Sequence, residues 1–185
     1  RQRIVEGMFG LLAAVRDLWR TGRVHSPNRD KAAISHHYDQ PVGFYRPWLG
    51  ESMAYSCAYF SSSADSLDTA QTKKLDMICR KLRLAPCDHF LDIGCGWGSL
   101  ILHAASRYGV RAHGITISRE QEAVARERIE TAQMTQSCAV KLLDYRFAPV
   151  HLGSFNKIAS VGMFEHVGLK NLPLYFRTVH SMLNP

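Results

Sequence analysis

The sequence lacks any run of about 18 apolar residues, the length a helix needs to cross a bilayer. It also lacks a CxxC pair, and its cysteines are five, an odd count: Cys57, Cys79, Cys87, Cys95 and Cys138. No disulfide framework, zinc site or other metal is expected from that spacing, and a reducing, cytoplasmic compartment follows as the default. Internal repeats, low-complexity tracts, zinc-finger spacing and an RNA-binding aromatic signature are all missing. The stretch 4–19 contains Glu6, Arg16 and Asp17, too much charge for the core of a signal peptide. The first residue is Arg1 rather than Met, so a preceding segment, removed or left out, is expected.

What is present is the composition of a globular protein: 185 residues, 46% hydrophobic and 21% charged. That suffices for one domain with a buried core. The net charge is +7, from 23 basic and 16 acidic residues. Residues 1–34 hold seven basic and three acidic side chains, so +4 of the excess lies there. A basic surface suits nucleic acid or phospholipid head groups, and charge alone does not choose between them.

Residues 1–34 read as an N-terminal amphipathic helix and linker. Ile4, Met8, Leu11, Leu12, Val15 and Leu18 recur at helical spacing, and Gly22 with Ser26-Pro27-Asn28 ends the pattern. The helix either packs on its own domain or lies in a lipid interface with Arg1, Arg3, Arg16 and Arg20 near phosphates. Residues 35–65 are irregular and aromatic, with Tyr38, Phe44, Tyr45, Trp48, Tyr55, Tyr59 and Phe60. Such a segment is a lid over an active site or an aromatic cluster that only packs. From residue 66 the periods alternate: a helix over 66–84, a strand over 89–93, a helix over 99–108, a strand over 111–117 and a helix over 119–132. Strands over 139–143 and 156–161 and a helix over 172–183 follow. The order predicts an α/β fold, a doubly wound parallel sheet.

The strongest local signal is LDIGCGWG at 91–98, where a strand turns into a helix. Glycines there let a backbone approach a ligand, and the helix start offers free N–H groups. The spacing is D-x-G-x-G-x-G, with Asp92 two residues before Gly94. This resembles motif I of the class I S-adenosylmethionine (SAM) dependent methyltransferases, whose ligand has an ammonium that favours a nearby carboxylate. A dinucleotide site would want an acid about 20 residues on. The second strand runs out in Thr116-Ile117-Ser118 with no acid, which counts against both ligands.

Further strings narrow the resemblance. They are HYD at 37–39, YSCAYF at 55–60, Ala70-Gln71 with Lys74-Leu75, Thr116-Ile117-Ser118 with Gln121, and SVGMFEHVG at 160–168. In this order the chain is similar to the cyclopropane-fatty-acyl-phospholipid synthases and mycolic acid cyclopropane synthases, from about residue 35 to its end. The resemblance implies the Rossmann-like sheet of the SAM-dependent methyltransferases, with a core at 66–185 that stops after about four strands. It implies SAM-dependent methylene transfer to a cis double bond of an unsaturated phospholipid acyl chain at a membrane surface, through a carbocation that demands a dry site. Methyl branching of the same chain, or SAM binding without catalysis, are the alternatives. The basic charge alone suggests a weaker one, a nucleic-acid methyltransferase, but no nucleic-acid partner is expected.

Carried over by position, the resemblance assigns SAM contacts to Tyr55, Ser56, Asp92, Gly94, Cys95, Gly96, Trp97 and Gly98. It adds Thr116, Ile117, Ser118 and Gln121 for the ribose region, and Tyr145 and Arg146 for the adenine. A bicarbonate ion serves as base in the family and implies contacts from Cys57, Val161 and Glu165. Cys57 and Glu165 are the candidate catalytic residues, with simple packing as the alternative for Cys57. His166 reads as a structural neighbour, and His36 and His37 as either site-facing or helix-capping. Two departures stand out. Gln40-Pro41-Val42 replaces the family's glycine and asparagine after HYD, and the chain stops at Asn184-Pro185, before the family's next strand. A fourth strand left as an edge predicts a longer polypeptide or a homo-oligomer that covers it. Peripheral association with the inner membrane surface completes the expectation.

Overall fold

The computed structural model describes Asp30 and residues 40–185. The expectations for the N-terminal helix, and for His36, His37 and the HYD string, lie outside those residues.

Four strands, β1 (His89–Ile93), β2 (Arg111–Thr116), β3 (Cys138–Leu142) and β4 (Lys157–Ala159), form one parallel sheet in the order β3-β2-β1-β4. The order reverses between β1 and β4. A crevice opens at the carboxyl ends of strands at such a reversal, and ligands of open α/β sheets bind there. Among the described residues six α-helices accompany the sheet: α1 (Val42–Leu49), α2 (Leu67–Lys81), α3 (Ser99–Tyr108), α4 (Arg119–Thr131), α5 (Ala148–Leu152) and α6 (Leu172–Ser181). No helix among the described residues is long and apolar enough to cross a membrane.

Strand periodicity divides the core in two. Phe90 and Ala112 point to one face, where Leu75 and Cys79 of α2, Ile101 and Ala104 of α3, and Ala125 and Ile129 of α4 are buried with them. Leu91, Ile93 and Ile115 point to the other, against Phe155, Val167, Tyr175 and Met182. Asp92 alternates with Leu91 and Ile93 and so lies on the α2 side of β1. That placement decides which helix supplies its neighbours.

The element boundaries follow local chemistry. β1 and α3 span the residues read from the sequence. Helix α2 starts where Ser66 caps it by accepting from Thr69 N at 3.2 Å, and it stops at Lys81. There Arg83 takes a left-handed φ of 52°, ending the helix three residues before the position read from the sequence. β4 is only three residues long, because Gly162, at φ 72°, turns the chain away. It stands at an edge of the sheet. Beside its start, Phe155 N donates to Met182 O at 2.7 Å and Asn184 N to Phe155 O at 2.9 Å, so the last residues bond alongside that edge instead of extending α6.

The main departure from the sequence reading is α1, inside a segment expected to be irregular. Gly43 and Pro47 hide its period. Tyr45 and Leu49 nonetheless share a helical face and are buried with Met53 against Trp97, which is 2% exposed. Trp97 belongs to the glycine loop, so an aromatic contact ties the 42–56 segment to that loop. Its ring centroid lies 4.9 Å from that of Tyr45 and 6.3 Å from that of Tyr55.

A polar clasp lies beside this contact. Arg128 of α4 donates to Trp97 O at 2.7 Å and Ser99 Oγ at 3.2 Å. It also donates to Ser52 O at 3.1 Å and Glu51 O at 3.3 Å. Ser99 Oγ donates to the same Ser52 carbonyl. Replacing Arg128 by Met leaves these carbonyls short of donors. We expect a loss of about 2–3 kcal/mol in urea denaturation and faster amide exchange at 51–53. Unchanged exchange there would show that the aromatic contact alone holds the segment.

Candidate functional site

A cavity occupies the crevice at the switch point. Its walls are the glycine loop from Asp92 to Trp97, Met53 to Ser56 from the aromatic segment, and Thr116, Ile117 and Gln121 after β2. Asp144 to Arg146 after β3 and Val161 to Met163 after β4 close it, and Lys74 of α2 reaches it from the side.

The glycine loop is pinned from below. Gly94 N and Cys95 N both donate to Ile115 O, at 2.9 and 3.0 Å. Gly94 has φ 82°, and a Cβ on it would lie 2.6 Å from Met163 Cβ, so no side chain fits. Gly96 has φ 54°, and a Cβ there would meet nothing within 4 Å. The open space at Gly96 belongs to the cavity, and the left-handed backbone favours the missing side chain. Cys95 is buried, and burial raises its thiol well above the ordinary value, so it stays protonated and serves as packing.

Asp92 is the electrostatic centre. It is 3% exposed, and its Oδ1 has no hydrogen-bond partner. Burial raises its pKa from the ordinary 3.8 to about 7, against a lowering by the nearby Lys74 ammonium. Lys74 is itself 6% exposed, and burial lowers its pKa while Cys57 and Asp92 oppose the shift. The two charges attract each other, yet no ion pair closes between them among the described residues. A buried carboxylate with an open oxygen is costly unless something cationic completes it.

Helix α2 also holds the aromatic segment over this centre. Gln71 Nε2 donates to Ala54 O and to Ser56 O, both at 3.0 Å. Lys74 Nζ donates to Ser56 Oγ at 2.8 Å and to Ser56 O at 3.4 Å. On the far side, Thr116 Oγ1 donates to Gln121 Oε1 at 2.7 Å. What Gln121 then offers a ligand is its amide N–H, a neutral donor where an acid was missing from the sequence. Beyond it, Asp144 Oδ1 accepts from Arg146 N at 2.9 Å and Arg146 Nε at 2.8 Å. Arg146 also pairs with Asp30 at 2.9 Å, and its guanidinium lies 5.4 Å from the Tyr145 ring centroid. This corner is thus a ring edged by a neutralised arginine.

The cavity brings together Tyr55, Ser56, Asp92, Gly94, Cys95, Gly96, Trp97, Thr116, Ile117, Gln121, Tyr145, Arg146 and Val161. Gly98 and Ser118 do not line it. Gly98 caps α3 and packs against Ala125, and Ser118 caps α4 by accepting from Gln121 N at 3.2 Å. Cys57 and Glu165 are exposed and off the wall, each next in sequence to a wall residue, Ser56 and His166. The residues that sequence reasoning missed are Lys74, Gln71, Asp144 and Asp30. Two of them carried a signal: Gln71 and Lys74 share the buried stripe of α2 with Ala70 and Leu75, and long polar side chains on such a stripe need partners. Among the described residues, no group of three or more His, Cys, Asp or Glu side chains is placed to hold a metal.

Comparison with known proteins gives a consistent picture. The family model "Mycolic acid cyclopropane synthetase" matches residues 25–185. A probable fatty acid methyltransferase of Pseudomonas putida is 49% identical over 153 residues, 83% of this chain and 39% of that protein. The cyclopropane-fatty-acyl-phospholipid synthase of Escherichia coli K12 is 47% identical over 149 residues, 80% of this chain and 37% of that one. The chain therefore spans well under half the length of these relatives. Among solved structures, the mycolic acid cyclopropane synthase CmaA1, in complex with SAH and CTAB, superposes with a TM-score of 0.77 at 32% identity. That match covers 83% of this chain and 53% of the other.

Asp92 yields a pH prediction. Its carboxyl stays protonated in the fold at pH values where the unfolded chain has already released the proton. Stability therefore falls as pH rises from about 4 to about 7, and the penalty is complete above that. Asp92→Asn removes the penalty and should stabilise the protein at pH 8 by up to about 4 kcal/mol, with little effect at pH 4. Thermal melts at the two pH values check this, and a variant less stable at pH 8 than the wild type would contradict it.

Proposed function

Since this chain belongs to the mycolic acid cyclopropane synthetase family, we propose that it forms the cofactor-binding part of a SAM-dependent lipid-modifying enzyme. Its substrate is the cis double bond of an unsaturated phospholipid acyl chain, and its product a cyclopropane fatty acid. The observation that carries this reading is the buried, unpartnered Asp92 carboxylate beside the open backbone at Gly96. SAM supplies the one-carbon unit when bound. Asp92 fits its ammonium, and the Gly94–Gly96 backbone fits its close approach. Gln121 fits a ribose hydroxyl, and Tyr145 with Arg146 fits the flat adenine. Tyr55, Ser56 and Trp97 wall the site, whose chemistry requires that water be kept from the reacting carbon.

The finer assignments rest on position. Bicarbonate would be held by Cys57, Val161 and Glu165, of which Val161 lies on the cavity wall and the other two beside it in sequence. Cys57 and Glu165 are the proposed catalytic residues, by that same position. Peripheral association with the inner membrane surface fits the net charge of +7 and the exposed Phe44, Trp48, Tyr59 and Phe60 on the aromatic segment. A homo-oligomer would cover the β4 edge, and a cytoplasmic location would keep the five cysteines as thiols.

Incubation with methyl-labelled SAM and vesicles of unsaturated phospholipid, followed by fatty-acid analysis, tests the reading. A labelled cyclopropane acid is expected. A labelled methyl branch would replace ring closure by C-methylation, and the absence of any labelled acyl product would remove the lipid assignment. Independently, Gly96→Val fills the open space at the loop. It should weaken SAM binding in calorimetry by about tenfold or more, because a branched side chain is strained at a left-handed backbone and stands in the ligand's path. Equal affinity would place the ligand elsewhere.

A further inference from the structure

The cavity wall contains one buried carboxylate and one buried ammonium that do not pair with each other. We propose that Lys74, together with the Ser56 hydroxyl, receives the α-carboxylate of the cofactor while Asp92 receives its ammonium, so that the two walls together read a zwitterionic amino acid. The proposal rests on the cofactor reading above.

Lys74 is not needed to anchor the aromatic segment. Gln71 already donates to Ser56 O at 3.0 Å and to Ala54 O at the same distance, and it does so without burying a charge. An ammonium placed only to assist it would incur a desolvation cost with no return. Lys74 has three N–H donors, and its hydrogen bonds go to a single residue, Ser56. A neutral hydroxyl and a backbone carbonyl do not neutralise it. Asp92, the other buried charge of the wall, sits within electrostatic reach but makes no ion pair with it. An α-amino acid has one charge of each sign on two groups attached to the same carbon. Placed between them it satisfies Asp92 Oδ1 and gives Lys74 a charged acceptor at once. The Ser56 hydroxyl, already oriented by Lys74, adds a donor to the same carboxylate.

Calorimetry with SAM and with decarboxylated SAM separates the two walls, since both ligands keep the ammonium and only SAM has the carboxylate. The wild type should bind SAM at least about tenfold more tightly than decarboxylated SAM. Lys74→Met should lose that preference to within about twofold, whatever smaller change both ligands share through Asp92. Lys74→Arg should restore the preference, and Lys74→Gln, a second neutral variant, should behave as Lys74→Met does even if the Met variant folds poorly. Asp92→Asn should weaken both ligands alike. A neutral Lys74 variant that keeps the preference overturns the proposal. So does one that weakens both ligands equally, since Lys74 would then act only through the Ser56 segment. Wild-type protein that binds neither ligand overturns the cofactor reading itself and this proposal with it.

Discussion

The structure depends on one unfavourable placement: a carboxylate at the end of the central strand, buried at the cavity wall and left with an open oxygen. Asp92 destabilises the fold at neutral pH, because the unfolded chain would ionise it freely. Nothing in the packing of β1 requires an acid there, since Phe90 and Leu91 already fill the two faces of the sheet. The surroundings are organised to tolerate the charge and to complete it from outside. Lys74 lowers the cost, the Gly94–Gly96 backbone leaves room beside it, and the strand reversal between β1 and β4 opens the space in front.

The aromatic segment is the second half of that arrangement. Its grip on the core combines three kinds of contact. Trp97 buries its ring among Tyr45, Leu49 and Met53. Arg128 collects the carbonyls of Glu51, Ser52 and Trp97, and α2 holds Ala54 and Ser56 through Gln71. The same residues therefore set the shape of the glycine loop and the position of what covers it. A change in either is felt by the other, because Trp97 and Arg128 belong to both contacts.

The sheet was legible in the sequence because its signals are local. β1 and α3 flank a run of glycines that punctuates the chain, and their limits could be read from it directly. The glycine loop was legible for the same reason, as three glycines and an acid at fixed spacing admit few uses. Helix α1 was not legible: Gly43 and Pro47 break its pattern, and its burial comes from Trp97, about fifty residues away in sequence. β4 was read too long because the apolar pattern continues to Val161, two residues past Ala159, the last residue that pairs with β1. Lys74 shows the clearest limit. Its position on a buried helical stripe was visible, but the meaning of that position requires knowing that α2 and Asp92 share one face of the sheet. The family resemblance placed Cys57 and Glu165 at the site, whereas only the fold shows that both are exposed and off the cavity wall.

The measurement that tests the central claim most directly is a crystal structure of this chain with S-adenosylhomocysteine. The account requires the amino-acid end of the ligand at the glycine loop, its ammonium within hydrogen-bonding distance of Asp92 Oδ1 and its adenine beside Tyr145. Ligand density that leaves the Asp92 carboxylate without a partner, or that lies outside the crevice between β1 and β4, would contradict it.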